Sequence, residues 1–382
     1  METTEKSGQP LKTPLYARHI AAGARMGDFA GWVLPLWYPT GQSAEHMAVR
    51  KACGLFDICH MGEFRISGPA AVRFLTGLLT NRVDQAAHGQ AMYHFMLNES
   101  GGVIDDCILY RFGADDFMLV VNAGNIDADL AWIRTRAADF DCSVEDRSPF
   151  LAKLDLQGPA SPALMSRFIP KSALAELKYF RFLPSVSIGG IDVLLSRTGY
   201  TGEIGFELYA ESSRAEALWD LLLSEGKPHG ILACGLGSRD TLRVEAGLPL
   251  HGHELRPDRP AIGHPWEFAM RADRDFFGGR ALAAGRPTDR WILPFSMNGR
   301  RKAMPGWEVL QEGVTIGFVL SGVISPSLNN MPIGFLESTR PLDNGVPLGF
   351  RQPETGTLLE GRIVPIPFVS LTARRKMAEF LT

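Results

Sequence analysis

The sequence predicts an α+β chain, two related halves of mixed strands and helices followed by a small C-terminal β-barrel or sandwich. Three observations carry this. Strand-like and helix-like segments alternate up to about residue 285 without a strict βαβ rhythm, which argues for α+β over a doubly wound sheet. A strand–Gly-Pro–helix unit occurs twice, about ninety residues apart. After Arg286-Pro287 the pattern changes to short apolar runs punctuated by Gly, Pro and Asn, with few helix signals, as in small barrels.

Taken in order, residues 19–26 and 43–53 read as helices, the second with Ser43 as N-cap. Gly27-Asp28-Phe29-Ala30-Gly31-Trp32 reads as a turn-rich link between them. Gly62-Glu63-Phe64-Arg65-Ile66-Ser67 alternates as a strand and runs through Gly68-Pro69 into a helix over 70–79. Leu151-Ala152-Lys153-Leu154-Asp155-Leu156-Gln157, Gly158-Pro159 and a helix over 160–168 repeat that unit, with Pro suited to a first helical turn. Chance similarity of two short segments is the competing explanation. Further strands are expected at 92–97, 103–112, 117–122, 191–196 and 205–209, and helices at 126–137, 214–224 and 239–246. Barrel strands are expected at 291–296, 306–310, 314–320, 333–337 and 361–368, with the boundary near 285.

Composition limits the function classes. At 382 residues, 45% hydrophobic and 21% charged, the chain can bury a large core across two or three domains. The net charge is -3 and no Lys/Arg block occurs, which argues against nucleic acid or an anionic membrane as main partner. Five scattered cysteines without CxxC or Cys/His spacing read as reduced thiols. The polar first thirteen residues and the lack of any membrane-length apolar run make a soluble, cytoplasmic protein the expectation.

Two segments are candidates for chemistry. In Gly101-Gly102-Val103-Ile104-Asp105-Asp106, a regular strand turns the two aspartates to opposite faces, so they cannot act together on one ligand. Tyr110 shares the Asp106 face, and an aromatic ring beside an acid suits a flat heterocycle. Two solvated edge acids are the competing reading. In Gly199-Tyr200-Thr201-Gly202-Glu203-Ile204-Gly205-Phe206-Glu207, the Glu207 carboxylate suits an N–H/NH2 donor pair such as a pterin or guanine edge, or a Lys or Arg partner. Arg239 and Asp240 open a helix after Gly235-Leu236-Gly237-Ser238, with Ser238 as N-cap, and that arginine could reach an anionic ligand tail or pair with a neighbour. Tyr93, Met61, Tyr110 and Tyr200 could line an aromatic slot or simply fill a core. His251-Gly252-His253 and His60 lack a third ligand and read as structural, and no metal is expected. No P-loop, GxGxxG after a strand, or Ser/His/Asp set is evident.

Six ordered motifs resemble the aminomethyltransferase (T-protein) family of the glycine cleavage system. They are Met26-Gly27-Asp28-Phe29-Ala30-Gly31-Trp32, Gly54-Leu55-Phe56-Asp57-Ile58-Cys59-His60-Met61-Gly62, Leu97-Asn98-Glu99-Ser100-Gly101-Gly102-Val103-Ile104-Asp105-Asp106, Val120-Val121-Asn122-Ala123-Gly124-Asn125, Arg197-Thr198-Gly199-Tyr200-Thr201-Gly202-Glu203 and Gly235-Leu236-Gly237-Ser238-Arg239-Asp240. The resemblance implies a three-domain cloverleaf with tetrahydrofolate in its central opening: two interwoven α+β domains over 1–285 and a β-barrel over 286–382. It implies that Asp106 is catalytic, that Glu207 reads the pterin, and that Met61, Tyr93, Tyr110, Asn122, Tyr200, Arg239 and Arg375 contact folate. The implied donor is an aminomethyl group on the lipoyl arm of an H-protein-like carrier, and the products are methylenetetrahydrofolate, ammonia and reduced lipoyl. Departures from the family pattern are Ile204, Cys59, the segment 261–267 before and around Trp266, and 322–330; they leave room for a small O-, S- or N-methyl donor instead. A non-enzymatic folate-binding protein is a further alternative, weakened by Gly199 where the iron–sulfur assembly relative carries Cys. A flavin-oxidase domain would require a flavin domain that the sequence lacks.

Overall fold

The computed structural model describes residues 9–271, 275–283 and 290–381. The repeat read from the sequence organises the first two thirds of the fold. One five-stranded sheet has the order Gln90–Leu97, Val103–Arg111, Asp116–Val121, Gly62–Ser67, Ser143–Asp146. A six-stranded sheet has the order Phe182–Ile188, Ile191–Ser196, Gly205–Glu211, Leu151–Gln157, Cys53–Asp57, Ile231–Cys234. The two follow the same plan except for Cys53–Asp57, which precedes the first unit in sequence yet lies inside the second sheet, interweaving the halves.

Gly68 and Gly158 end equivalent strands, at φ 128° and 126°. A Cβ at either would lie 2.8 Å from Asp141 O or 2.5 Å from Ala52 O, so both turns need glycine. Helices Ala71–Leu78 and Ile126–Ala137 cover the outer face of the first sheet around Phe64, Leu109 and Leu119. Helices Ser161–Met165 and Ala215–Gly226 cover the second around Leu154, Phe206 and Trp219. The inner faces meet through Ala91, Tyr110, Met118, Phe182 and Tyr209.

The C-terminal unit is a closed six-stranded barrel: Trp291–Met297, Met331–Ser338, Val314–Ser325, Glu308–Gln311, Pro347–Arg351 and Leu358–Ile363. A bulge between Val319 and Ser321 bends one strand, letting it continue to Ser325 past the expected end at 320. The expected boundary at 285/286 lies outside the described residues.

Local expectations differ from the structure in several places. Residues 19–26 split into the helix Tyr16–Ala21 and the strand Arg25–Phe29. The supposed link is a hairpin, because Ala30 and Gly31 both take positive φ (53° and 82°) and join Arg25–Phe29 to Trp32–Trp37. Gly41 and Gly235, not Ser43 and Ser238, occupy the N-cap positions of Gln42–Lys51 and Leu236–Glu245. Ser238 instead donates to Gly235 O at 2.8 Å from inside its helix. Strands Cys53–Asp57, Phe182–Ile188, Ile231–Cys234 and Pro347–Arg351 were not anticipated, being too short for a sustained polar–apolar alternation.

Candidate active site

A cavity of about 1480 Å³ opens between the two sheets, the hairpin tip at Asp28–Ala30 and the loop after Leu236–Glu245. Met61, Tyr93, Asp106, Asn122, Tyr200, Glu207 and Arg239 all line it. Asp106 comes from the first sheet and Glu207 from the second.

Strand geometry separates Asp105 from Asp106 as expected. Burial alternates along Val103–Arg111, with Asp105 fully buried and Asp106 partly open. Tyr93 lies opposite Ile108 on the adjacent strand, diagonal to Asp106 and on its face. Its hydroxyl donates to Asp106 Oδ2 at 2.9 Å, and Asn122 Nδ2 donates to Oδ1 at 3.0 Å. Burial first, then the Asp105 charge, push the Asp106 carboxyl up to about 6, against the pull of His251, Tyr93 and Asn122.

Glu207 has the opposite surroundings. Its Oε2 accepts from Thr198 at 2.7 Å, Tyr110 at 3.1 Å and Tyr209 at 3.3 Å. Its Oε1 faces Lys153 Nζ at 3.4 Å. Burial would raise this carboxyl, but Lys153 first, then Thr198, Arg239 and Tyr110, hold it below the ordinary carboxylate range. With Oε2 saturated by hydroxyls, Oε1 is the acceptor left to a ligand.

Arg239 donates to Asp155 Oδ2 at 2.6 Å, and its guanidinium lies 4.9 Å from the Tyr200 ring centroid. Asp240 pairs with Arg243, not with Arg239. His60, buried in the cavity wall, is pushed down to about 4 by burial, and its Nδ1 has no hydrogen-bond partner among the described residues. His251 and His253 diverge: His251 Nε2 donates to Val103 O at 3.2 Å, and His253 Nδ1 faces Leu320 O at 3.4 Å. No group of three metal-ligating side chains occurs among the described residues.

Two residues expected at the site do not line this cavity. Tyr110 does not line the cavity: its ring is fully buried between the sheets, and it supports Glu207 from behind. Arg375 turns outward to Glu379 Oε2 at 2.9 Å through Nε, while its neighbour Arg374 faces the cavity. Glu203, four residues before Glu207, is bound by Arg50 at 2.9 Å and does not line the cavity.

Lys153, Asp155 and Arg374 carried no expectation from the sequence, and His60 was read there as structural. Lys153, Asp155 and Gln157 alternate with Ala152, Leu154 and Leu156, a pattern that resembles a solvated strand face. Here that face is buried, with Lys153 meeting Glu207, Asp155 meeting Arg239 and Gln157 meeting Thr201. The signal was a charged face on a strand at the centre of a repeat.

The departures from the family pattern lie largely off the cavity. Ile204 packs in the second sheet's core, Cys59 is buried against Lys153 O, and of residues 261–267 only Trp266 lines the opening.

Comparisons with known proteins show the family and the fold. The family described as "GCVT N-terminal domain" matches residues 15–273. The chain is 41% identical over 362 residues to an aminomethyltransferase of Moorella thermoacetica, covering 94% of this chain and 97% of that one. It is 37% identical over 372 residues to one from Thermotoga maritima, covering 96% and 100%. A crystal structure of the glycine cleavage system aminomethyltransferase T from Bartonella henselae superposes with a TM-score of 0.87 at 33% identity, covering 95% of this chain and 99% of that one.

Proposed function

The chain belongs to the GCVT aminomethyltransferase family, and we propose that it transfers a one-carbon unit from an aminomethyl group on a carrier's lipoyl arm to tetrahydrofolate. The enzyme class is a one-carbon transferase; the acceptor and the carrier are the parts this reading adds. The observation that carries it is one cavity uniting a carboxylate held ionised, Glu207, with one poised near neutrality, Asp106.

The residues present fit a reduced folate. Glu207 Oε1 offers an acceptor to the paired N–H donors of a pterin ring, and Met61, Tyr93 and Tyr200 supply flat or polarisable walls. Arg239 and Arg374, with the donors that Asp155 leaves unused on the former, suit the carboxylates of a glutamate tail. When bound, folate supplies the amine nucleophile.

This chain's own work is positioning and proton handling. Tyr93 and Asn122 fix the Asp106 carboxylate, which accepts the proton the attacking amine releases. In balance, the aminomethyl carbon leaves sulfur for the two folate nitrogens, nitrogen leaves as ammonia, and the lipoyl sulfur leaves as a thiol. Five unpaired cysteines accord with the cytoplasmic location included in this reading. No helix among the described residues is long and apolar enough to cross a membrane.

The test is to incubate the protein with tetrahydrofolate and either an aminomethyl-lipoyl carrier or small methyl donors, and to identify the folate product. Methylenetetrahydrofolate with stoichiometric ammonia is expected. Methyltetrahydrofolate formed from a small donor would replace this reading with demethylation.

A further inference from the structure

Behind Asp106 lies a second carboxylate and behind that a third. Asp105 accepts the Asn122 backbone N–H at 2.9 Å, Asn122 Nδ2–H at 2.8 Å and Asn125 Nδ2–H at 2.8 Å. His251 Nδ1 stands 4.0 Å from Asp105 and 3.0 Å from Asn125 Nδ2. Asn122 Nδ2 is shared between Asp105 and Asp106, so whatever fixes Asp105 also fixes the donor that steers Asp106.

Asp129, the fourth residue of helix Ile126–Ala137, is fully buried on the far side of Asp105. Neither of its oxygens meets an N–H or O–H donor among the described residues. Its hydrogen-bonding neighbour is the Asp105 carboxylate, and the other titratable groups facing it are Asp106 and Cys107. An ionised Asp129 would be a buried charge with no donor and two like charges nearby. A carboxylic acid there has a proton to give, and Asp105 is the acceptor beside it.

We propose that Asp129 stays protonated and donates to Asp105, acting as a positioning residue that locks the Asn122 amide against Asp106. The catalytic consequence rests on the reading of Asp106 given above; the protonation itself does not. Burial, then the charges of Asp105 and Asp106, push Asp129 up to about 11, so the proton is retained wherever the enzyme would work. The device resembles the neutral buried carboxylic acid that some enzymes keep as a hydrogen-bond donor. Here it is directed at a supporting group one layer away from the chemistry.

Infrared spectra of the full chain with 13C-labelled aspartate test the protonation directly. At about pH 9, above the ordinary carboxylate range, a label-sensitive carboxylic-acid carbonyl band is expected, lost in Asp129→Asn. Aspartate labelling separates it from Glu63, which burial pushes up to about 8. A folded wild-type protein lacking this band would overturn the proposal, whatever its activity. In turnover, Asp129→Leu is expected to lower kcat roughly 10- to 100-fold with little change in folate KM and to move the acid limb of the pH profile. Asp129→Asn, which still carries a donor, should restore most of that rate. A folded Asp129→Leu enzyme with unchanged kcat and pH profile, or an Asp129→Asn enzyme as slow as Asp129→Leu, would contradict the role.

Discussion

The two related sheets each present a carboxylate to the same cavity, and they treat it in opposite ways. Asp106 lies in the second strand of its sheet, with a like charge behind it and donors from Tyr93 and Asn122, and its proton affinity rises to about 6. Glu207 lies in the third strand of the other sheet, with three hydroxyls on one oxygen and Lys153 facing the other, and it is held ionised. The carboxylates do not occupy equivalent strands. The two sheets share a plan, and the surroundings of each strand set the proton affinity of its acid: one poised near neutrality and one held ionised.

The sharpest way to break this contrast is Asp106→Asn. Turnover should fall about 10²- to 10⁴-fold, as measured by steady-state kinetics. Glu207→Gln should leave proton handling intact and weaken folate binding by about 1.5–3 kcal/mol, the range for hydrogen bonds to charged groups, read by titration calorimetry. Arg374→Ala should raise the KM for a glutamyl folate by roughly tenfold, and Arg375→Ala should hardly change it. Equal effects of the two arginines would remove the assignment of the tail site to the inward-facing one.

The smallest effect is on stability, and here the two acids differ in sign. Asp106 binds its proton more tightly folded than unfolded, so its ionisation costs stability as pH rises from its unfolded value to about 6. Glu207, with a lowered folded value, contributes stability above its unfolded value that is lost as pH falls. Asp106→Asn should therefore be more stable than wild type at pH values above about 6, by about 1 kcal/mol since the carboxyl is partly open to cavity water. Glu207→Gln should be less stable there, because Lys153 is left buried without its counter-charge. Thermal melts across pH would show it.

Much of this was legible in the sequence, for uneven reasons. Alternation along Val103–Arg111 separated Asp106 from Asp105, because a regular strand leaves no other geometry. The ring thought to accompany Asp106 was the wrong one. Tyr110 shares its face but lies deeper, under Glu207, and Tyr93 reaches it across the ladder. Cross-strand neighbours depend on register, which a single strand does not carry. The Gly-Pro repeat pointed to the two similarly built sheets because both glycines meet the same backbone constraint. The insertion of Cys53–Asp57 into the second sheet had no local signal. Arg374 rather than Arg375 faces the cavity, which the sequence could not show because the C-terminal tail has no periodicity to orient it. Lys153 and Asp155 were hidden by a pattern that an exposed strand shares.

The measurement closest to the central claim is tetrahydrofolate binding to wild type, Asp106→Asn and Glu207→Gln by titration calorimetry under one buffer. A division of labour predicts that Asp106→Asn binds within a few-fold of wild type while Glu207→Gln loses about tenfold or more. Loss of binding in Asp106→Asn with Glu207→Gln unaffected would contradict it.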